Sequence, residues 1–424
     1  MIRIIKVSNI DKFAADIIPK PIQKNKIITE KILKDVQKNG DTAIRKYEKK
    51  FNKANISSLR LSANEIEKSF SKVSKSQIKA IRAAKKRLEL TENSIKSLLK
   101  TRTVHNAGTK ISKEFVPIQS TGCYIPGGLA RYPSTVIMSV VPAKIAGVKR
   151  IVVVSPPNSS GNIDSLTVVA AKICGADEIY RTGGIQSIAA LAYGTKTIQK
   201  VDKIVGPGGA FVTTAKSIVS ENTSIDMLAG PTELGIVADS SANPKFIALD
   251  LISQAEHSAD TFCYLITNSE KLANSVSEIT SKLVSNIQRE NIVKPSLRKN
   301  GFIAVCKTRP EMIRLANNLA PEHLQIMTRN PESVSSKITS PGLVLLGDYS
   351  PSSASDYIFG SNHILPTSGF GKTRGSLSVI DFIKINTKVT SSKKTLSEIS
   401  DNLKTLTDAE GLPNHYEAVG GRLE

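Results

Sequence analysis

The stretch that decides the fold runs from Arg150 to Tyr193: RIVVVSPPNSSGNIDSLTVVAAKICGADEIYRTGGIQSIAALAY. Arg150 to Val154 is a short apolar run rich in Val, and Pro156-Pro157 stops it. Branched aliphatic runs of this length read as buried strands. Ile163 to Cys174 has helix length, Glu178 to Tyr180 is strand-like, and Ile185 to Tyr193 is helical again. Strand and helix alternate, which predicts a doubly wound parallel sheet with helices on both faces.

The rhythm extends in both directions. Upstream, Thr135 to Val148 has helix length. Downstream, Lys203 to Val205 leads into the turn Gly206-Pro207-Gly208-Gly209. A second α/β region follows. Phe246 to Ala255 reads as a helix with Asn243 as N-cap and Pro244 at the first position. Phe262 to Thr267, Phe302 to Val305 and Leu343 to Leu346 are strand candidates. Residues 25 to 100 read as helices rich in Lys and Glu, residues 110 to 118 as a strand, and the chain beyond Lys372 as a small α+β tail.

Composition sets the outer limits. The 424 residues exceed one typical core and predict two or more domains. Formal net charge is +21, which invites a nucleic-acid reading. The lysines are scattered among acids and apolar helix positions, so solvated surface is the plainer account and no nucleic-acid partner is expected. Cys123, Cys174, Cys263 and Cys306 form no CxxC pair and read as free thiols of a reducing compartment. No apolar run reaches membrane-span length and no signal-peptide pattern opens the chain, so a cytoplasmic location without membrane contact is expected.

The polar residues worth attention are few. Of five histidines, His105 lies in a polar stretch and reads as surface. His257, His323, His363 and His415 each neighbour Gly, Pro or an acid. Gln254 and His257 share an i, i+3 spacing that suits two ligands of one metal. The plainer alternative is a helix-end His bonding its own carbonyls. Glu322 and His323 follow Pro321; if a helix begins there, its dipole favours a neutral imidazole, a competent base. Asp348 and Asp356 follow an apolar run and could face a site beyond its carboxyl end, or Asp356 could be a helix-terminus charge. No GxGxxG follows a strand. Tyr124-Ile125-Pro126-Gly127-Gly128 and the Gly206 turn are the stretches where backbone could approach a phosphate.

Eight segments in order resemble histidinol dehydrogenases over nearly the whole chain. They are CYIPGGLARYPSTVIMSVVPAKIAG (123–147), RTGGIQSIAALAYGT (181–195), VDKIVGPGGAFVTTAK (201–216) and IDMLAGPTEL (225–234). DLISQAEHS (250–258), NLAPEHLQI (318–326), GDYSPSSASDYIFGSNHILPTSG (347–369) and EGLPNHYEAV (410–419) complete the set. The resemblance implies a zinc-dependent, NAD-linked four-electron oxidation of histidinol to histidine through the aldehyde, the last steps of histidine synthesis. It implies one zinc per subunit, held by Gln254, His257, Asp356 and His415. Glu322 and His323 would be catalytic. Thr232, Gln254, His257, His323, Asp356, His363, Glu410 and His415 would contact substrate. Tyr124, Gln186 and Gly209 would lie against NAD.

The fold implied is two doubly wound, incomplete nucleotide-binding-like domains with small terminal segments, as in the aldehyde dehydrogenases and this family. Residues 1–24 would be an N-terminal segment, 25–122 with 235–377 a discontinuous first domain, and 123–234 the second. Residues 378–424 would be a tail crossing to the partner of a homodimer, bringing Glu410 and His415 to the other subunit's site. Two positions depart from the family pattern. Gly209 stands where an Asn that binds NAD is usual, and Thr232 stands for Ser but keeps the hydroxyl. Cys123, beside Tyr124, reads as structural because neither base nor cation neighbours it. The alternatives are a dehydrogenase of another small polyol or amino alcohol and, in a different class, a basic nucleic-acid-binding protein.

Overall fold

The Val- and Ile-rich runs become buried parallel strands, as their branched side chains favour. The computed structural model describes residues 2–17, 25–127 and 131–424. The second glycine of the Tyr124 motif, Gly128, lies outside the described residues.

One parallel sheet contains β4 (Ser120–Tyr124), β5 (Arg150–Ser155), β6 (Glu178–Arg181), β7 (Lys203–Val205) and β8 (Ser224–Ile225), in the order β6-β5-β4-β7-β8. Its connecting helices are α5 (Pro133–Ala146), α6 (Ser165–Cys174), α7 (Gly184–Tyr193) and α8 (Ala210–Val219). Alternate residues of β5 feed two cores, Ile151 and Val153 on one face and Val152 and Val154 on the other. That is why the run shows no polar alternation. The strand order reverses between β4 and β7, which is the usual place for a nucleotide crevice.

A second parallel sheet has the order β1-β11-β10-β9-β12-β13. Its strands are β1 (Arg3–Lys6), β9 (Glu233–Ala238), β10 (Phe262–Thr267), β11 (Phe302–Val305), β12 (His323–Met327) and β13 (Leu343–Leu346). Around them lie α1 (Ile10–Ile17), α9 (Pro244–Ala255), α10 (Glu270–Val284), α11 (Glu290–Lys299), α12 (Arg309–Leu319), α13 (Pro331–Ser335) and α14 (Ser352–Tyr357). Asn243 caps α9 through the Lys245 N–H, with Pro244 at the first helical position. The two doubly wound α/β units anticipated from the alternating pattern are therefore present.

A third, antiparallel sheet joins β14 (Ile383–Thr390), β3 (Thr109–Pro117) and β2 (Arg102–Asn106). After it come α15 (Lys393–Ala409) and α16 (Pro413–Gly420), which pack on each other.

The expected division of the chain differs from the packing in three places. Helices α2 (Lys26–Asn52), α3 (Ala63–Phe70) and α4 (Lys75–Ser97) were assigned to the domain of residues 235–377. Instead α2 packs on α7 and α8, α3 on α6, and α4 on α5 and α6. The cause is that α7 is buried from Ile185 to Ala192, leaving no polar face for solvent. A helix apolar all round needs a second layer over it, and α2 supplies one. Secondly, residues 2–17 do not stand apart: β1 pairs with β11, and α1 packs on α12. Thirdly, Val379 and Phe382 are fully buried in the core that includes α5, so the tail leaves the body after them.

Candidate active site

The polar cluster lies at the N-terminal ends of β9 and β12, neighbours in the six-stranded sheet. Helix α12 ends at Leu319, and Ala320 takes the left-handed conformation as its C-cap. The chain then enters β12 directly, with Pro321-Glu322-His323 at the strand's start. The helix start anticipated at Pro321 is therefore absent, so His323 does not sit in the first turn of a helix. Proline suits the entry to a strand as well as the first turn of a helix.

His323 is buried between two acids. Its Nε2 donates to Asp356 Oδ1 at 3.1 Å, its Nδ1 donates to the Glu233 carbonyl at 3.4 Å, and Glu322 Oε2 lies 3.7 Å from Nδ1. Burial alone would depress its pKa, but Glu322 and Asp356 push it up to about 9. The neutral imidazole that was expected is disfavoured while Asp356 keeps this bond. Asp356, on α14, is held below its ordinary value by His323 against the opposing effect of burial.

Glu322 accepts from the Thr232 hydroxyl and from the Glu233 N–H (2.9 Å). Burial raises its carboxyl pKa, against the pull of His323 and these two donors. Thr232 also accepts from Gln254 Nε2 at 2.8 Å, so one hydroxyl joins α9 to the catalytic candidate Glu322. His363 donates from Nδ1 to the Asp356 carbonyl at 2.8 Å, and its Nε2 lies 3.4 Å from Thr135 Oγ1. Thr135 belongs to α5 of the other sheet unit. The cluster thus faces the carboxyl end of β4, where the five-stranded sheet opens.

Gln254 lies in the last turn of α9, and His257 follows just beyond the helix. His257 is exposed, yet surrounding protein holds its pKa below the ordinary value while the Asp356 charge opposes the shift. A neutral imidazole, the Asp356 carboxylate and the Gln254 carbonyl oxygen are donors that suit zinc. They are three of the four donors that the resemblance implies. Among the described residues no three His, Cys, Asp or Glu side chains are gathered for a metal. His415 and Glu410 are exposed on the tail and make no hydrogen bond to a pocket residue of the same chain. Asp348 is also exposed, at the far end of β13, and is no part of the cluster.

The residues expected against NAD sit on the five-stranded sheet and its helices. The Gly184 N–H donates to Tyr124 Oη at 3.4 Å. Gln186 is buried; its Nε2 donates to Glu48 Oε1 at 2.8 Å, and its Oε1 has no partner. Such an orphaned acceptor beside the crevice fits a polar ligand. Gly209 is the N-cap of α8 without a side-chain cap, so the helix presents free amides. The turn before it is held firmly. Gly206 has φ +114°, and its N–H and C=O bond to Asp226 (2.7 Å) and Lys216 (2.9 Å), themselves a buried ion pair.

Two residues escaped the sequence reading. Glu233 touches both Glu322 and His323, and its place directly after Thr232 was the available signal. Glu48 on α2 accepts from Thr182, Gly183 and Gln186, and nothing in its Lys-rich helix sets it apart. The cysteines are free and buried, and burial raises the Cys123 thiol far from reactivity. His105 is exposed on β2.

Two parallel sheets wrapped by helices, with a buried Glu–His–Asp cluster at the edge of one, define the class as α/β. Comparison with known proteins narrows the class. A family model described as histidinol dehydrogenase matches residues 20–423. The histidinol dehydrogenase of Methanocaldococcus jannaschii is 42% identical over 393 residues, 93% of this chain and 91% of that protein. That of Oceanobacillus iheyensis is 41% identical over 394 residues, 93% and 92% of the two chains. A crystal structure of histidinol dehydrogenase from Elizabethkingia anophelis superposes with a TM-score of 0.94 at 36% identity, covering 100% of this chain and 98% of that one. The chain belongs to the histidinol dehydrogenase family. Among the described residues no helix is long and apolar enough to cross a membrane.

Proposed function

We propose that this protein oxidises histidinol to histidine in two NAD-linked steps at the cluster around His323, with zinc bound beside it. The observation that carries this is the chain Gln254–Thr232–Glu322 meeting the pair His323–Asp356 at one buried point. Bound zinc would fix the substrate's imidazole and amino nitrogens, and bound NAD would accept one hydride in each half-reaction. Gln254, His257 and Asp356 would hold the metal from one chain, and His415 would come from the partner subunit of a homodimer together with Glu410.

The chain's own residues would then move protons. With Asp356 engaged as a ligand, His323 Nε2 is released from its present bond and can take the alcohol proton. Glu322, a carboxyl of raised pKa, would take a proton from the water that adds to the aldehyde. Thr232 keeps that carboxyl aimed, and His363 would contact substrate from the α5 side. Tyr124, Gln186 and the turn at Gly209 would seat the dinucleotide. The reaction is expected in the cytoplasm. The test is absorbance at the NADH wavelength with histidinol, NAD and zinc. Histidinol-dependent NADH formation, lost on chelation and restored by zinc, is the expected result. Turnover only of other amino alcohols or polyols would replace histidinol as the substrate.

A further inference from the structure

Glu233 reaches both residues that the proposed reaction assigns to proton transfer. Its N–H donates to Glu322 Oε2 at 2.9 Å, and its carbonyl accepts from His323 Nδ1 at 3.4 Å. The side chain completes the set. Oε2 accepts from the Glu322 N–H at 3.2 Å, and Oε1 accepts from the Ser368 N–H at 2.8 Å. The residue is 3% exposed, and each carboxyl oxygen has a backbone N–H to satisfy.

The sheet explains why this carboxyl is needed. The pairing of β12 with β9 starts at His323, opposite Leu234. The Glu322 N–H therefore lies one residue before the ladder and would be orphaned in a buried place without the Glu233 side chain. On the other side, Ser368 ends the segment that carries His363 and follows Asp356. One carboxyl thus ties the backbone of Glu322 to the segment bearing the other polar groups of the pocket. A second tie, from the Gly230 N–H to Thr367 Oγ1, joins the same segment to the loop before β9.

We propose that Glu233 is a positioning residue that sets Glu322 and His323 in working register, so that its loss lowers turnover more than substrate binding. This rests on the reading that Glu322 and His323 carry the proton transfers. The side chain must offer two acceptor oxygens. An amide of the same shape offers one and turns its NH₂ toward the second N–H. Glu233→Gln therefore breaks one contact without changing volume. Glu233→Asp keeps both acceptors on an arm one methylene shorter.

The experiment compares wild type, E233Q and E233D, each zinc-loaded, with histidinol and NAD. E233Q should lose about ten- to a hundredfold in kcat, the scale of a small misplacement of reacting groups. Its KM for histidinol should stay within about twofold, and its zinc content should match wild type. E233D should fall between the two. A merely structural role would lower the melting temperature and leave kcat alone below it. In parallel, nitrogen-15-labelled histidine spectra of wild type and both variants read the His323 ring without any turnover. The His323 signal should move in E233Q, or in E233D if E233Q does not fold, while that of exposed His105 stays put. An unmoved His323 signal, or a folded variant with wild-type kcat, overturns the proposal. Wild type inert toward histidinol with a displaced His323 signal would sink the activity reading and leave the positioning role standing.

Discussion

The two sheet edges that hold the candidate residues are built by opposite means. At the N-terminal edge of the six-stranded sheet, side chains dominate: Glu322, His323, Glu233 and Asp356 are charged or titratable groups packed out of water. At the carboxyl edge of the five-stranded sheet, backbone does the shaping. A Cβ on Gly127 would press to 2.6 Å from Pro156, and one on Gly206 would collide with the Tyr124 carbonyl. Moving protons needs groups whose pKa the surroundings can shift. Seating a dinucleotide needs bare amides and room. Substitutions at the first edge should therefore damage turnover, and those at the second should change affinity.

The largest effect is expected at the metal residues. His257→Ala should leave a folded protein without zinc and without measurable NADH formation, because a catalytic-type metal site is not the folding core. Metal analysis and circular dichroism on the same sample check this. Full zinc with full activity would remove His257 from the ligand set.

Glu322→Gln should separate the two half-reactions. General acid–base groups contribute about 10²–10⁴-fold, and only aldehyde oxidation consumes water. The loss with histidinaldehyde as substrate should therefore exceed the loss in the alcohol step by at least about tenfold. Equal losses would show that Glu322 serves both steps alike.

The next effect concerns the exposed tail. If His415 acts in the partner's pocket, mixing inactive His415→Ala and His257→Ala chains creates heterodimers with one intact site of two. Isolated with two different tags, these should recover about half of wild-type activity per dimer, the additive expectation for independent sites. Dead heterodimers would mean that His415 serves its own chain. The comparison of edges would then need a third source of side chains.

Gly209→Asn should give the smallest change, and in affinity alone. Gly209 has φ −65° and ψ 174°, open to any residue, and nothing lies within 4 Å of a Cβ built there. Asn would add one hydrogen bond to the dinucleotide, worth about 0.5–1.5 kcal/mol, and cap α8 by a few tenths more. The NAD Michaelis constant should fall about threefold to tenfold with turnover unchanged. An unchanged constant in the folded variant would show that a neighbour already fills the role.

The same contrast explains what the sequence made legible. Strands β5, β10, β11 and β13 stand out because apolar runs rich in branched and aromatic residues between turns have few alternatives. Helix α9 announces itself with Asn243-Pro244. Rare residue types in odd company drew attention to Glu322, His323, Asp356 and His363, and the fold gathers these four with Thr232 and Gln254. Strand β12 was missed because a central strand beginning Pro-Glu-His-Leu-Gln has polar residues where a strand shows apolar ones. Those polar groups are there for the site, and local pattern gives way to function at such places. The affiliation of α2, α3 and α4 was illegible for another reason. A helix's apolar stripe says that it packs, but not on which sheet. Glu48 shows the same limit, since its bonds to Thr182, Gly183 and Gln186 span more than 130 residues.

Counting electrons tests the account most directly. Histidinol in limiting amount, with excess NAD and zinc, should yield two NADH per molecule and histidine as the product, because Glu322 stands beside His323 and the aldehyde is oxidised where it forms. One NADH per histidinol, with free aldehyde released, would contradict the claim that one buried cluster carries both oxidations.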